Sequence, residues 1–134
     1  MEWKVIEWQR DKKRVHDICY GCGSAVSKQS YAYIDMLYRN PQRTIIGEFS
    51  DSSFYVVTPS KKHWRLIEIA TTEQGGGIGK ATLLRLLKRM QGVGVKTLTF
   101  RTPINETAID FWLHMGAKIT GLKDNDYEMQ IILV

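Results

Sequence analysis

One stretch of the chain, residues 67–90, constrains its fold more than any other. It reads IEIATTEQGGGIGKATLLRLLKRM: a short apolar strand, the glycines Gly75, Gly76 and Gly77 followed by Gly79, and an amphipathic helix. Glycine lets the backbone adopt positive φ and approach a ligand closely. Free N–H groups at the start of the helix, together with the helix dipole, favour an anion there. The stretch therefore predicts a strand–loop–helix unit that binds a phosphate group.

Two other glycine-rich loops do not fit this stretch. A Walker A loop requires G-x-x-x-x-G-K-[ST], but Gln74 and Ala81 occupy its first and last positions. A dinucleotide fingerprint, G-x-G-x-x-G, can start at Gly75 but meets Lys80 where its third glycine belongs. A surface loop without a ligand is the remaining alternative, and the clean strand and helix on either side favour the anion site instead.

Length, composition and charge limit what else the chain can be. Its 134 residues, 43% of them hydrophobic, match one globular domain, to which we assign residues 1–134. No apolar run is long enough to cross a membrane, and the polar first residues contain no signal-peptide core, so we expect a cytoplasmic protein. The net charge of +5 suits an acidic ligand. Because the basic residues are scattered, nucleic-acid binding is disfavoured, although the charge does not exclude it.

The two cysteines form the pattern Cys19-Tyr20-Gly21-Cys22. A zinc site would need a second ligand pair at suitable spacing, and a redox motif of this kind should open a helix rather than close one. We therefore interpret Cys19 and Cys22 as structural thiols and predict no metal site.

Periodicity along the chain predicts one α+β domain with alternating short elements. Turn residues and caps separate apolar runs of helical and strand period, with Asp11 and Asn105 as helix N-caps. In the helix after the glycine loop we expect Leu83, Leu84, Leu87 and Met90 to face inward, and Thr82, Arg85 and Arg89 to face outward. The predicted elements are strand 3–8, helix 12–22, helix 28–39, strands 44–49, 54–58 and 63–71, helix 78–91, strand 96–101, helix 106–115, and two strands in 118–134.

This order and two motifs resemble one known family. Gln74, Gly77 and Gly79 spell Q-x-x-G-x-G, and residues 105–117, NETAIDFWLHMGA, are similar to the pattern N-x-x-A-x-x-(L/F)-Y-x-x-x-G-F. Both are features of the GCN5-related N-acetyltransferase (GNAT) family. The resemblance implies a central mixed sheet of six to seven strands, flanked by about four helices and splayed between strands 4 and 5.

The resemblance also implies a function and a cofactor. It implies an acyl-CoA-dependent N-acetyltransferase, which transfers an acetyl group from acetyl-CoA, or another acyl-CoA, directly to a primary amine of a small molecule, peptide or protein. A catalytically weak or inactive CoA-binding module, with a regulatory or assembly role, is the alternative. The cofactor-binding residues implied are Ile69, Ala70 and Thr71 for the pantetheine, Gln74, Gly75, Gly76, Gly77, Ile78, Gly79 and Lys80 for the pyrophosphate, and Asn105 for the far part of the arm.

Two positions depart from the family pattern: Ala117 stands where the pattern has phenylalanine, which affects packing, and Trp112 bears on the chemistry. Trp112 stands where the family usually has a tyrosine that protonates the leaving thiolate. An indole N–H can donate a hydrogen bond but cannot act as a proton-transferring acid. A phenol from the second helix, Tyr31, Tyr33 or Tyr38, could take its place, and we take Tyr31 as the candidate. His114 lies two residues further along the helix and therefore on a different face.

Two residues of the strand before the loop are candidates for the general base. Glu68 lies between Ile67 and Ile69, where burial would raise its pKa towards neutrality. It could equally be paired with Arg65 or be solvated. His63 has a suitable ordinary pKa, but it could instead be an exposed histidine at a loop. The apolar last strand, which ends at Val134, could pair across a two-fold axis in a homodimer.

Overall fold

The structure is a computed structural model that describes residues 2–22, 25–73 and 76–134. Within these residues the chain forms seven strands and four helices around one sheet. Their bounds lie within a few residues of the sequence predictions. They are β1 (Lys4–Val5), α1 (Trp8–Gly21), α2 (Ala25–Arg39), β2 (Ile46–Phe49), β3 (Ser53–Thr58), β4 (His63–Thr71), α3 (Ile78–Gly92), β5 (Thr97–Pro103), α4 (Glu106–His114), β6 (Lys118–Lys123) and β7 (Asp126–Ile132).

The strands follow the order β1-β2-β3-β4-β5-β7-β6, and every neighbouring pair is antiparallel except β4 and β5. Those two strands pair in parallel only at their beginnings, from His63 with Thr97 to Arg65 with Thr99. Beyond this point β4 stays on β3, β5 stays on β7, and a gap opens between them. The predicted mixed sheet with a splay between strands 4 and 5 is confirmed.

The two faces of the sheet carry separate hydrophobic clusters. On one face, α1 and α2 pack over alternate residues of β3, including Phe54 and Val56; this is the α1/α2 face. On the other, α3 and α4 pack over the residues between them, including Tyr55 and Val57; this is the α3/α4 face. Because the side chains of a strand alternate in direction, β3 serves both clusters.

A β-bulge interrupts this alternation in β4. Leu66 pairs with Val57 and Glu68 pairs with Val56, so Ile67 is one residue more than β3 can match. Leu66 packs on the α3/α4 face, whereas Ile67 and Glu68 both lie on the α1/α2 face. A bulge commonly redirects a side chain in this way. It lies just beyond the last pair between β4 and β5, where the gap begins.

Two details of the helices differ from the sequence predictions. Helix α1 begins at Trp8 with Glu7 as its N-cap, and Asp11 instead accepts the Glu7 backbone N–H from inside the first turn, at 2.8 Å. In α3, Leu84 is 48% exposed, whereas Thr82 and Leu86 are fully buried. Thr82 tolerates burial because its hydroxyl donates to the Ile78 carbonyl at 2.7 Å, which a hydropathy pattern does not reveal.

The last strand, β7, is not at an edge of the sheet. The expectation that this strand could pair with a second copy is therefore wrong. The C-terminal segment folds back as a hairpin, which places β7 between β5 and β6 and leaves β6 at the edge. Among the described residues no helix is both long and apolar enough to span a membrane.

Candidate active site

The gap between β4 and β5 opens into a cleft of about 800 Å³. Its walls come from the end of β4, the start of α3, the end of β5, helix α4 and the end of α1 with the start of α2. Both faces of the sheet contribute, since Ile69 packs with the α3/α4 cluster and Glu68 lies on the α1/α2 face. The cleft thus passes through the sheet, and two ligands could enter it from opposite sides.

One end of the cleft is the N-terminus of α3. Gly76 and Gly77 have φ of 65° and 79°, a region that residues with a Cβ rarely adopt, and the space around both is open. Gly77 is the N-cap, no side chain of the described residues caps the helix, and the first turn contains no acidic residue. The first N–H bonded within the helix is that of Ala81, so the preceding helical N–H groups lack helical partners. This end is suited to an anion.

The edge of β4 that faces the gap offers further backbone groups. The Thr72 N–H donates to the Ser52 carbonyl beside β3, at 2.8 Å. Successive residues of a strand point their N–H groups to opposite sides, so those of Thr71 and Ile69 point into the gap. Ala70 lies between them, with its backbone towards β3. An extended ligand with amide groups could pair with this edge as an additional strand.

Glu68 lies at the inner end of the cleft, partly buried. Burial raises the pKa of its carboxyl group, while hydrogen bonds from the Ser30 hydroxyl and the Ile69 N–H act in the opposite direction. The net pKa is raised, and no basic side chain of the described residues contributes to it. Its Oε1 accepts the Ile69 N–H at 3.0 Å.

The pairing of Glu68 with Arg65, an alternative left open by the sequence, is wrong. The Arg65 guanidinium donates two hydrogen bonds, of 2.9 and 2.8 Å, to the carboxylate of Glu128 on β7. This fork crosses β5 at the last pair between β4 and β5, where the gap begins. Glu68 is left without a cationic partner for this reason.

Comparisons with known proteins bear on this architecture. No protein-family model matches the chain, and no curated protein matches it in sequence. Solved structures match over nearly the whole length. The PaiA N-acetyltransferase of Thermoplasma acidophilum, in complex with coenzyme A, is 16% identical with a TM-score of 0.75, over 98% of this chain and 99% of that one.

Two further solved structures have named acceptors. The aminoglycoside 6′-N-acetyltransferase of Enterococcus faecium is 16% identical with a TM-score of 0.70, over 100% of this chain and 98% of that one. The ribosomal-protein-S18-alanine N-acetyltransferase of Escherichia coli is 18% identical with a TM-score of 0.68, over 98% and 91%. The chain has the GNAT fold. At such identities the likeness establishes architecture alone.

In this GNAT fold most of the residues expected to bind a cofactor line the cleft: Ile69, Ala70, Thr71, Gly77, Gly79, Lys80 and Asn105. Gly76 and Ile78 belong to the same loop and helix start but are not lining residues. The structure brings the β4 edge, the α3 N-terminus and Asn105 to the walls of the cleft. The Asn105 side chain also caps α4, because its Oδ1 accepts the Ala108 N–H at 3.2 Å. Gln74 and Gly75 lie outside the described residues.

Trp112 lines the same cleft but is mainly a packing residue. It is 7% exposed, and the centroid of its ring lies 4.1 Å from that of the Phe100 ring and 5.1 Å from that of the Phe111 ring. His114 also lines the cleft, although its helical position placed it on another face. No tyrosine of the described residues lines the cleft.

The structure does not bring His63 or Tyr31 to Glu68. His63 is exposed at the first residue of β4, and an extended strand rises about 3.3 Å per residue, which separates it from Glu68 by about 16 Å. Tyr31 packs among aromatic rings, and its ring centroid lies 5.0 Å from that of His16 and 5.8 Å from that of Trp8. Both residues lie outside the walls of the cleft.

The sequence analysis did not single out Ser30, which supports Glu68 from α2. A usable signal was present, because Ser27, Ser30 and Ile34 recur at the spacing of one helix face. Cys19 and Cys22 do not form a disulfide, and the Cys22 thiol donates to the Cys19 carbonyl at 3.0 Å. Across the described residues no three His, Cys, Asp or Glu side chains are grouped as metal ligands would be.

Proposed function

We propose that the protein is an acyl-CoA-dependent N-acetyltransferase, which transfers an acetyl group from acetyl-CoA directly to a primary amine of a small molecule, peptide or protein. One observation carries the proposal: a single cleft connects an uncapped helix N-terminus, a free strand edge and an inward-facing carboxylate without a cation. A binding protein would need the first two features, but the third is suited to removing a proton from a substrate.

The residues of the cleft fit coenzyme A. The N–H groups at the start of α3 suit a pyrophosphate, and the absence of a side-chain cap leaves them available. The edge of β4 at Ile69 and Thr71 suits the amides of pantetheine. Acetyl-CoA supplies the acyl group as an activated thioester, while the chain binds it, orients it and moves a proton.

Glu68 is the group that moves the proton. A primary amine is an ammonium ion near neutral pH and must lose a proton before its nitrogen can attack the thioester carbon. The raised pKa of Glu68 brings it closer to working pH, where a general base is most effective. Attack forms the carbon–nitrogen bond, the carbon–sulfur bond breaks, and the sulfur leaves as a thiolate, while the attacking nitrogen gives its second proton to solvent as the amide forms.

The thiolate leaves without a phenolic acid in this proposal. No tyrosine of the described residues lines the cleft, and the Trp112 indole cannot give up a proton at this pH. An ordinary thiol has a pKa of about 8.5, so its thiolate is a tolerable leaving group near neutral pH. Protonation from solvent is therefore sufficient.

The acceptor is expected on the α1/α2 side, where Cys22 and Ser27 line the cleft near Glu68. Two of the matching structures are named for an aminoglycoside and for a ribosomal-protein alanine as acceptors, so this fold accommodates both small and large amines. We place the protein in the cytoplasm. A homodimer formed by strand pairing would use an edge strand of the sheet, β1 or β6.

Titration with acetyl-CoA, followed by a thiol-release assay with a panel of amines, tests the proposal. Binding with turnover on any amine supports it. Binding without turnover across small amines, polyamines and peptides favours a CoA-binding module, for which Trp112 at the tyrosine position is the specific observation. Absence of binding to acetyl-CoA and to CoA would reject both functions.

A further inference from the structure

The Ile69 N–H, which points into the cleft, already has an acceptor. Glu68 Oε1 takes this hydrogen bond at 3.0 Å. The carboxylate of the expected base therefore occupies one of the two N–H groups that β4 offers to a ligand. Thr71 is the residue nearer to the α3 N-terminus, and Ile69 is the deeper one.

A ligand anchored by phosphate at α3 would run along the edge of β4 and reach Thr71 before Ile69. The acyl end of such a ligand lies furthest from its phosphates, so its carbonyl would meet the Ile69 N–H beside the bulge. A backbone N–H carries one hydrogen, which a carboxylate and a carbonyl cannot both accept in good geometry. The two acceptors must compete.

We propose that the carbonyl of a bound acyl group displaces the Glu68 carboxylate from the Ile69 N–H, so that acyl-CoA itself releases the base that the transfer needs. The inference rests on the proposed function, because it assumes that acyl-CoA occupies the cleft. The hydrogen bond with the Ile69 N–H holds the carboxylate against its own strand, and the carboxylate becomes free to face the acceptor when the thioester is in place.

The surroundings of Glu68 determine the consequence for its proton. Helix α2 contributes the Ser30 hydroxyl, and α1 contributes the Cys19 thiol, whose own pKa is raised to about 12, first by burial and then by the nearby Glu68. Cys22 lines the same cleft, β3 presents the apolar Val56, and Arg65 on its own strand is engaged with Glu128. Lys80 of α3 and His114 of α4 line the cleft but do not act on the Glu68 carboxyl group, so no cation of the described residues replaces the lost N–H. Loss of that hydrogen bond therefore raises the proton affinity of the carboxylate further.

The rise in the proton affinity of Glu68 determines how the affinity for acetyl-CoA depends on pH. Between the pKa of Glu68 in the free protein and its higher value in the complex, the carboxylate takes up a proton as acetyl-CoA binds. Affinity for acetyl-CoA, relative to CoA, must then fall as pH rises through this window. Each unit of difference between the two pKa values corresponds to about a tenfold fall.

Calorimetric titration of the purified protein with acetyl-CoA and with CoA, from about pH 5 to pH 7.5, measures this coupling, because the window begins above the ordinary carboxyl pKa. Each titration is run in two buffers of different ionisation enthalpy, which yields the number of protons taken up. Both ligands carry the same phosphates, so phosphate protons cancel in the difference. We expect more protons for acetyl-CoA than for CoA, up to one per site.

Two variants assign the difference to its residue. Glu68→Gln should bind both ligands and lose the difference in protons, with CoA binding as the check that it is folded. Glu73→Gln, which changes another acid at the wall of the cleft, should keep the difference. Equal proton uptake for both ligands in the unmodified protein would overturn the inference and leave the proposed function standing. If neither ligand binds, the proposed function fails and the inference fails with it.

Discussion

Two glutamates face inward from this sheet, on opposite faces and in opposite electrostatic settings. Glu48 of β2 is 2% exposed on the α3/α4 face, where Arg85 donates two hydrogen bonds, of 2.9 and 3.2 Å, and Tyr55 donates another. Burial alone would raise the pKa of Glu48, but these bonds and the charges of Arg85 and Arg89 hold it below its ordinary value. Glu68, on the other face, has a raised pKa, and no cation of the described residues lowers it.

The comparison shows how the same residue type becomes structural or chemical. A carboxylate surrounded by donors and cations is a permanent anion whose charge stabilises its neighbours. A carboxylate that is partly buried at an open cleft, with only two neutral donors, exchanges its proton at a higher pH than an ordinary carboxyl group does. Position in the sequence does not separate them, since both lie in strands with uncharged neighbours: Gly47 and Phe49 flank Glu48, and Ile67 and Ile69 flank Glu68. Their partners do.

The largest expected effect comes from Glu68→Gln. An amide of the same shape cannot accept the proton, so kcat/KM for an accepted amine should fall by about 10²- to 10⁴-fold. The unfolding free energy should stay equal or rise slightly, because a neutral group replaces a poorly compensated charge. Steady-state kinetics and urea denaturation check both halves. Retention of kcat/KM within about twofold would remove Glu68 as the base.

Glu48→Gln should show the reverse pattern. Its removal leaves the buried Tyr55 hydroxyl and two partly exposed arginines without their anion, and we expect a loss of about 2–3 kcal/mol of unfolding free energy. Urea denaturation measures the loss, and affinity for CoA of the folded variant should be unchanged. A loss below about 0.5 kcal/mol would mean that the cluster contributes little to stability.

The same two variants should separate in their pH dependence. The depressed pKa of Glu48 gives stability that is present above the unfolded-state pKa, about 4.3, and is lost as pH falls through the folded-state pKa. The raised pKa of Glu68 gives stability that is present at low pH and is lost as pH rises from that same value. In Glu48→Gln the unfolding free energy should therefore fall less at acid pH than it does in the unmodified protein. In Glu68→Gln it should no longer fall as pH rises above about 4.3. Identical pH profiles in both variants would contradict the contrast.

Ser30→Ala tests how the Ser30 hydroxyl affects the pKa of Glu68, and its effect should be smaller than those of the two glutamate variants. Without the hydroxyl donor the Glu68 carboxylate is less stabilised, so its pKa should rise and the acid limb of the kcat/KM profile should move up by about one unit. Above that limb the rate should match that of the unmodified protein. Ser60→Ala, which removes a hydroxyl that donates to the His63 carbonyl at a loop outside the cleft, is the matched control. An unmoved acid limb in Ser30→Ala would show that this hydroxyl does not tune the base.

The smallest effect is expected for Glu128→Gln, which removes the charge from the fork with Arg65. Both side chains are partly exposed, 34% for Arg65 and 26% for Glu128, so the pair should contribute only about 0.5–1 kcal/mol to the unfolding free energy. Thermal and urea denaturation measure it. A loss as large as that of Glu48→Gln would show that the fork, rather than strand pairing alone, holds β4 and β7 together where the gap begins.

The order of elements and the loop were accessible from the sequence because they depend on local signals. Apolar periodicity located β4 and α3, and the glycines Gly76 and Gly77 predicted the positive φ that the structure shows. Most of the residues expected around the cofactor share one cleft for the same reason, since the loop and the strand before it are continuous in sequence. Their role in binding stays a prediction.

Features that depend on distant partners could not be predicted in this way. Nothing in the sequence near Glu48 indicates that α3 will supply Arg85 and Arg89, which were expected to face solvent. The register error in α3 arose because Thr82 is polar by hydropathy, yet hydrogen bonds to Ile78 and Ser53 make it a core residue. The side of the sheet to which Glu68 points depends on a bulge that only strand pairing defines.

That bulge has a consequence for reading related sequences. Ile67 is an additional residue with no counterpart on β3, so a relative whose fourth strand is regular must be aligned with a one-residue gap at this point. Without the gap, every residue from position 68 onward is compared with a neighbour that points to the other side of the sheet. Catalytic residues transferred by an ungapped alignment would fall one position away from their structural equivalents, and at 14–18% identity little else in the strand would expose the error.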